Sequence, residues 1–439
     1  MIPPVVIPYG SGTMEFPIPP AWRVDTAQAP PPPEIRLDDA ALHALEHPVA
    51  GPRLRDLARA GMRVTVVVPD QTRACPTAAL LPILLAELAR GGVRESDVTV
   101  VIALGMHRKL RPAERSDLLG TGATRLHVEE AQGSEAAHYR DLGALAPEES
   151  GLPQSVPIRV HPRTQECGLL LSLGLVEPHQ YAGWSGGRKT VAVGCAAAET
   201  IAAFHGSAVL EHPGTRLGAL EGNPLHRALE ATARRAGLRF VLNLALNGEG
   251  RTVAVAAGEP GAVLVDLVER ALPYVQCLVD SEPYDAVFAG VGAPKDVNLY
   301  QTSRALTYIA FAREPLVRDG GWIVTAARCP ENAGHGPAEE EFRRNMQAGT
   351  SAEAVLDHLR RGGFQAGGQR AFLVSKALRR YRMMVVGAQD PAMIRSCHLE
   401  TAPDADTAMS RITATSRADA RVLLVPGALA TLPVPRAVA

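Results

Sequence analysis

The sequence predicts an α/β protein of two domains, each built on a largely parallel sheet, and three observations carry that expectation. Its short apolar runs are rich in Val and Leu and do not alternate strictly with polar residues, which suits strands buried on both faces. Longer segments with helical spacing lie between those runs, the alternation expected of α/β chains. At 439 residues the chain is long for one domain and comfortable for two.

Taken in order, the expected strands are RVTVVVPD (63–70), DVTVVIALG (97–105), GLLLSLGLV (168–176), FVLNLALN (240–247), DAVFAGVG (285–292) and GWIVTAA (321–327). Helical patterns run over AALLPILLAELARGG (78–92), stopped by paired glycines, and over TSRALTYIAFAREPLVRDGG (302–321). The Pro-rich stretch 28–34 reads as a stiff surface connector. The segment ALPYVQCLVDSEPY (271–284) separates two such series, which places an N-terminal domain at 1–272 and a C-terminal domain at 273–439. The last segment is expected to pack back on the N-terminal domain.

Composition narrows the partners. Lys and Arg total 45 against 46 Asp and Glu, so no basic field exists to hold nucleic acid or an anionic membrane. Small molecules are the expected ligands. Cys75, Cys167, Cys195, Cys277, Cys329 and Cys397 are scattered without a C-x-x-C pair, which reads as reduced thiols in a cytoplasm. The opening MIPPVVIPYGSGTMEF has no basic n-region followed by a sustained apolar run, and no later run approaches ~20 apolar residues. A soluble, cytoplasmic protein is expected.

Ligands of open α/β sheets gather beyond the carboxyl ends of strands, so the residues just after each apolar run matter most. There the chain places Asp70, Thr72 and Arg73, then His107, then His179, and finally Lys295, Tyr300, Gln301 and Arg304. Asp70 and Thr72 could simply start a helix, as capping residues do. Equally, Thr72 and nearby N–H groups could hold an anion, with Arg73 gripping a carboxylate or phosphate. His107 and His179 suit paired acid/base work near neutral pH, or are structural. Gln301 and Arg304 stand three apart at a helix start, hence on one face. His226, His335 and His398 read as ordinary residues.

The loop AGWSGGRKTVAVG (182–194) resembles a phosphate loop in Gly183, Lys189 and Thr190, but Arg188 stands where the second glycine should be. Ser185, Gly186 and Gly187 could still form a nest of N–H groups for one phosphate.

Asp70-x-Thr-Arg73, the GMHR around His107, EPH…SGGRK with His179 and Lys189, the downstream His205, and PKDVNLYQ with Gln301 together resemble the lactate racemase (LarA-like) family. The motifs occur in family order over about residues 65–305. The resemblance implies an active site in the cleft between two α/β domains and a nickel-pincer nucleotide, a pyridinium mononucleotide whose two sulfur-bearing arms and a ring carbon hold nickel. Lys189 would be the thioamide tether and His205 the protein's nickel ligand, in a square-planar geometry that suits sulfur and imidazole donors. The cofactor phosphate would lie near Asp70, Thr72, Arg73 and Ser185–Gly187.

The implied reaction is racemisation or 2-epimerisation of a 2-hydroxy acid. His107 or His179 takes the hydroxyl proton while a hydride passes to the cofactor, giving a 2-keto acid that reorients before the hydride returns. Arg73, Lys295, Tyr300, Gln301 and Arg304 would bind substrate. Cofactor-synthesis proteins would be needed for maturation.

Two departures from the family pattern stand out. Tyr300-Gln301-Thr302-Ser303-Arg304 replaces the common Y-Q-x-x-K, so an altered substrate is expected. Val193 stands where K-x-x-x-P-G would place proline. Competing readings are a zinc hydrolase using the same histidines, against which no H-E-x-x-H spacing exists, and a non-catalytic binder of cofactor or hydroxy acid.

Overall fold

The computed structural model describes residues 4–120, 125–247 and 250–436. It divides into two compact units. One comprises Pro31–Thr215 with Ala219–Tyr274, and the other Met1–Pro30, Arg216–Gly218 and Val275–Ala439. They are called the central unit and the C-terminal unit.

The central unit is built on a six-stranded sheet in the order Thr252–Gly258, Leu238–Leu246, Leu169–Val176, Val64–Pro69, Val98–Gly105, His127–Gln132. All neighbours pair in parallel except the Thr252 strand, which runs antiparallel to the Leu238 strand. The lack of alternation in the sequence has its cause here. Val66, Val68, Val100, Ile102, Leu171 and Leu173 point into one core with Leu45, Leu80 and Leu84 of helices Leu37–Glu46 and Thr77–Arg90. The intervening residues meet the helix Gly187–Ala192 on the other face. Each fully buried Val or Leu stabilises the fold by roughly 1.5–3 kcal/mol.

On that second face the strands carry small residues where the helix must approach. A Cβ on Gly174 would stand 2.6 Å from the Gly187 nitrogen, and one on Gly187 would stand 2.9 Å from the Val241 side chain. Glycine at both positions lets a strand and a helix start touch backbone to backbone. The helix Gly187–Ala192 is thereby seated directly on the sheet.

The C-terminal unit holds a second six-stranded sheet in the order Glu400–Ala402, Arg382–Val386, Val317–Ala326, Tyr284–Ala289, Arg421–Val425, Arg23–Thr26, every pair parallel. Its edge strand comes from the first thirty residues, and Leu432–Pro435 pairs with Gln276–Val279 of the same unit. Asp285, fully buried at the start of its strand, accepts from Arg318 at 2.6 Å, from Arg417 at 2.9 Å and from the Arg421 backbone nitrogen at 2.9 Å. These bonds offset the cost of a buried charge.

The helix expected over 302–321 is corrected. It spans Leu299–Ala310, and Val317 already belongs to the following strand. Pro315 has no N–H to continue the ladder, and Gly320 takes a positive φ of 74°. Among the described residues, no helix is long and apolar enough to cross a membrane.

Candidate functional site

The strand Val64–Pro69 ends at Asp70, a residue only 4% exposed. Its carboxylate is the hub of the site's first half. Asp70 Oδ2 lies 2.6 Å from His107 Nδ1, while Oδ1 accepts from the Thr72 nitrogen at 3.2 Å and from the Thr72 hydroxyl at 2.7 Å. Burial alone would raise the Asp70 carboxyl. The hydrogen bond and charge of His107, the Thr72 hydroxyl and the charge of Arg73 outweigh it and hold the group below its ordinary range. A carboxylate can only accept, so His107 Nδ1 directs its proton at Asp70, and Nε2 is left to face outward.

His107 follows the strand Val98–Gly105 on a turn closed by its own nitrogen to the Leu104 carbonyl, at 2.9 Å. Gly105, with φ of 56°, makes that turn possible. Gln132 Nε2 donates to the His107 carbonyl at 3.1 Å, and the imidazole itself is about half exposed, with 51% of the side chain accessible. Arg73 reaches Glu177 at 3.6 Å, tying the loop after Asp70 to the segment that carries His179.

His179 lies beyond the strand Leu169–Val176 in a small hairpin, Pro178–His179 against Gly183–Trp184. Its Nδ1 accepts from the backbone nitrogens of Tyr181 at 3.3 Å and Ala182 at 3.1 Å. Gly183 has φ of 73°, and a Cβ there would stand 1.9 Å from the Ala219 carbonyl oxygen, so only glycine fits. The buried ring of Tyr181 stands edge-on between two imidazoles: 5.4 Å and 81° from His179, 5.7 Å and 88° from His205.

His205 ends the helix Ala198–Phe204, and its Nδ1 donates to the Ile201 carbonyl at 2.7 Å. That leaves Nε2 as a lone pair, the arrangement of a neutral imidazole ligand with an outer hydrogen bond fixing its ring. Burial pushes the group down to about 4, the carbonyl opposes this, and the Lys189 ammonium adds to the depression. Lys189 therefore lies within electrostatic reach of His205.

The odd residue of the loop, Arg188, turns inward. Its guanidinium donates to the Ser185 carbonyl at 2.9 Å, to the Trp184 carbonyl at 3.4 Å and to His226 Nδ1 at 2.8 Å. Burial lowers it to about 10 and lowers His226 to about 4, which keeps His226 neutral as an acceptor. The Ser185 hydroxyl is occupied too, donating to the Leu175 carbonyl at 2.6 Å and accepting from the Glu177 nitrogen at 3.0 Å. Gly186, with φ of 132°, turns the chain into the helix that opens at Gly187.

Asp70, Thr72, Arg73, His107, His179, Ser185, Gly186, Gly187, Lys189 and His205 thus all belong to the central unit. Lys295, Tyr300, Gln301 and Arg304 belong to the C-terminal unit. There Asn298 caps the helix Leu299–Ala310 by accepting from the Gln301 nitrogen at 3.0 Å, and Arg304 donates to Gln301 Oε1 and to the Tyr308 hydroxyl, each at 3.4 Å. Sequence reasoning missed two roles: Asp70 as the partner of His107, and Tyr181 as the ring between two histidines. Only knowledge of strand neighbours could have exposed the first; the second leaves no pattern in the sequence.

Comparison with known proteins decides the family. The lactate racemase N-terminal domain matches residues 9–218, and the lactate racemase C-terminal domain matches residues 279–432. The chain belongs to the lactate racemase family. A lactate racemase of Thermoanaerobacterium thermosaccharolyticum is 29% identical over 371 residues, covering 81% of this chain and 80% of that one. Another, from Lactiplantibacillus plantarum, is 28% identical over 399 residues, covering 89% of each. The solved lactate racemase apoprotein from T. thermosaccharolyticum superposes with a TM-score of 0.85 at 25% identity, covering 98% of this chain and all of that one. A Thermotoga maritima protein shares the fold, with a TM-score of 0.67 at 17% identity over 93% of this chain. Lactate racemases are isomerases, and this chain is an enzyme of that class.

A racemase of this family needs a cofactor, and the side chains here set limits on one. Among the described residues no group of three or more His, Cys, Asp or Glu gathers as a metal site. A metal held at His205 must bring its other ligands with it, since protein sites ordinarily supply three or four. His205, with a lone pair at Nε2 and a primary amine nearby, fits a metal carried by an organic group anchored at Lys189.

Proposed function

We propose that this protein is a racemase or 2-epimerase of a 2-hydroxy acid that works with a nickel-pincer nucleotide joined to Lys189. The observation that carries the reading is the placement of His107 and His179 at the ends of strands separated by the single strand that delivers Asp70. Adjacent strands lie about 4.8 Å apart, so the ends of the two strands that lead to these histidines stand roughly 10 Å apart.

His205 would hold the nickel through Nε2, and Lys189 would anchor the organic group. When bound, that cofactor supplies reversible acceptance of a hydride from C2 of the substrate. The protein's own residues do the rest. Asp70 fixes the His107 ring so that its Nε2 faces the hydroxyl, and the imidazolium formed on taking the proton is balanced by the buried carboxylate. His179 serves the same oxygen from the other side. Arg73, which pairs with Glu177, would hold the substrate carboxylate. In the C-terminal unit, Gln301 and Arg304, with Tyr300 and Lys295, are the substrate contacts in this reading. Lactate, the substrate in the names of the relatives, is the first acid to test.

The test combines two measurements on protein matured with the cofactor-synthesis proteins. Intact mass should show an increment lost in Lys189→Ala, and single enantiomers of lactate, malate or 2-hydroxyglutarate should lose optical purity. An unmodified Lys189 in fully matured protein would sink the proposal.

A further inference from the structure

We infer that the N-terminal hairpin, Val5–Tyr9 with Gly12–Phe16, serves substrate binding: through Asp296 it fixes the helix start that carries Tyr300 and Gln301, which makes Tyr9 and Asp296 positioning residues for the reaction. The role of Tyr300 and Gln301 as substrate contacts rests on the proposed racemase reading. The hold of the hairpin on them rests on hydrogen bonds and packing inside the C-terminal unit, to which all these residues belong.

The topology of the second sheet shows what the hairpin replaces. The chain winds outward from Tyr284–Ala289 through Val317–Ala326 to Arg382–Val386 and Glu400–Ala402, then returns to lay Arg421–Val425 on the other side of Tyr284–Ala289. In open α/β sheets such a reversal leaves a crevice beyond the carboxyl ends of the strands, and ligands bind there. Here the chain's own first residues fill that place. Pro8 and Pro426 both press on Gly290, just past the Tyr284 strand, where a Cβ would stand 2.8 Å from the Pro8 ring and 2.0 Å from the Pro426 carbonyl oxygen. The Tyr9 hydroxyl donates to the Gly387 carbonyl, at the end of the Arg382 strand, at 2.8 Å. Val5, Ile7 and Phe16 anchor the hairpin in the core of the sheet, with the Phe16 ring 4.9 Å from that of Phe288.

The hairpin turn then reaches residues 295–301. Gly10, at φ of 58°, donates its N–H to Asp296 Oδ2 at 2.8 Å, and its carbonyl accepts from the Ala293 nitrogen at 3.3 Å. Asp296 is 5% exposed, so its carboxylate depends on protein donors rather than water. A second segment grips the same residues. The Asp296 carbonyl accepts from the Cys329 nitrogen at 2.9 Å, and the Asn332 carbonyl accepts from the Leu299 nitrogen at 2.7 Å. Cys329 and Asn332, at φ of 45° and 55°, are two of the three non-glycine residues with positive φ among the described residues. Backbone strain of that kind persists only where surrounding contacts impose it. Between these two holds, Asn298 caps the helix Leu299–Ala310 at the Gln301 nitrogen.

Releasing Asp296 from Gly10 therefore loosens the helix start and leaves the core beneath the hairpin in place. Substrate must then order Tyr300 and Gln301 as it binds, which weakens affinity and does not touch the histidines of the central unit.

The test joins hydrogen exchange to kinetics on the full chain. In cofactor-free protein, the amides of residues 297–304 should exchange about 10-fold faster in Asp296→Ala than in wild type, while those of Val317–Ala326 keep their rate. Asp296→Asn keeps an oxygen for the Gly10 N–H and should stay within about 3-fold of wild type. Should Asp296→Ala not fold, Tyr9→Phe, a smaller change at the hairpin tip, should speed the same amides about 3-fold. Wild-type exchange at 297–304 in the folded variants overturns the inference. In cofactor-loaded protein at matched mass increment, Asp296→Ala should raise KM about 10-fold for whichever of lactate, malate and 2-hydroxyglutarate the wild type converts, with kcat changed less than about 3-fold. A loss confined to kcat overturns the positioning role. Should loaded wild-type protein convert no hydroxy acid, the racemase reading fails while the exchange rates still decide whether the hairpin holds the helix start.

Discussion

Asp70 offers the sharpest perturbation, because its carboxylate is buried, its partners are known and it touches no substrate in the proposed reaction. Replacing it with Asn keeps an oxygen that can accept from His107 Nδ1 but removes the charge; replacing it with Ala removes both. A hydrogen bond to a charged group contributes about 1.5–3 kcal/mol, and the His107–Asp70 contact becomes fully charge-assisted only when His107 holds the substrate's proton. Since about 1.4 kcal/mol is a factor of ten, Asp70→Asn should lower kcat about 10-fold. Asp70→Ala, which also frees the ring to rotate and strands the Thr72 hydroxyl, should lower it about 100-fold. The assay is initial-rate loss of optical purity from each enantiomer, at matched cofactor loading by intact mass. Full kcat in Asp70→Ala at equal loading would refute the argument that this carboxylate positions and balances the base.

Three further outcomes follow from the same contacts. His205→Ala should leave the mass increment on Lys189 in place while nickel measured per protein falls, because the tether and the proposed metal contact are separate side chains. Arg188→Gly, which restores the glycine of a phosphate loop, should destabilise the fold by about 1–3 kcal/mol for each buried acceptor it leaves unpaired at Trp184, Ser185 and His226, seen as a drop in the denaturation midpoint. Stability should also fall as pH drops from about 6.5 towards 4. His161 and His226 are pushed down to about 4 by burial, so the unfolded chain binds protons in that window and the folded one does not. At about 1.4 kcal/mol per pH unit for each group, the pair should cost about 5 kcal/mol over the window, and His161→Leu should flatten the slope of a urea-midpoint series against pH.

The strands were legible because each is buried on both faces, so the chain wrote them as unbroken apolar runs. The helix boundary at 310 was less so: the apolar spacing continues past Phe311, and Pro315 ends it only by what it lacks. The parallel pairing of Arg23–Thr26 with Arg421–Val425 joins segments some four hundred positions apart, and RVDT has no pattern that announces it. In the site, the residue types were visible but their pairings were not. His107 and Asp70 are 37 positions apart and meet only because their strands are neighbours. The same holds for Tyr181, whose position between His179 and His205 depends on how a turn and a helix end come to rest.

The loop from Ala182 to Gly194 shows how one substitution redirects a familiar pattern. A phosphate loop needs glycine before its lysine so that successive N–H groups can curl round an anion. Here Arg188 fills that position, and its guanidinium holds the Trp184 and Ser185 carbonyls and the neutral His226. Ser185 is spent on Leu175 and Glu177, so the loop's polar side chains are consumed in fixing its own path. Gly174 and Gly187 let that path press onto the sheet. A segment so constrained is suited to holding one amine in one place. Rigidity of this kind suits the tether proposed at Lys189, since a cofactor anchored on a loose loop could not be presented to His205 and to substrate in a single orientation.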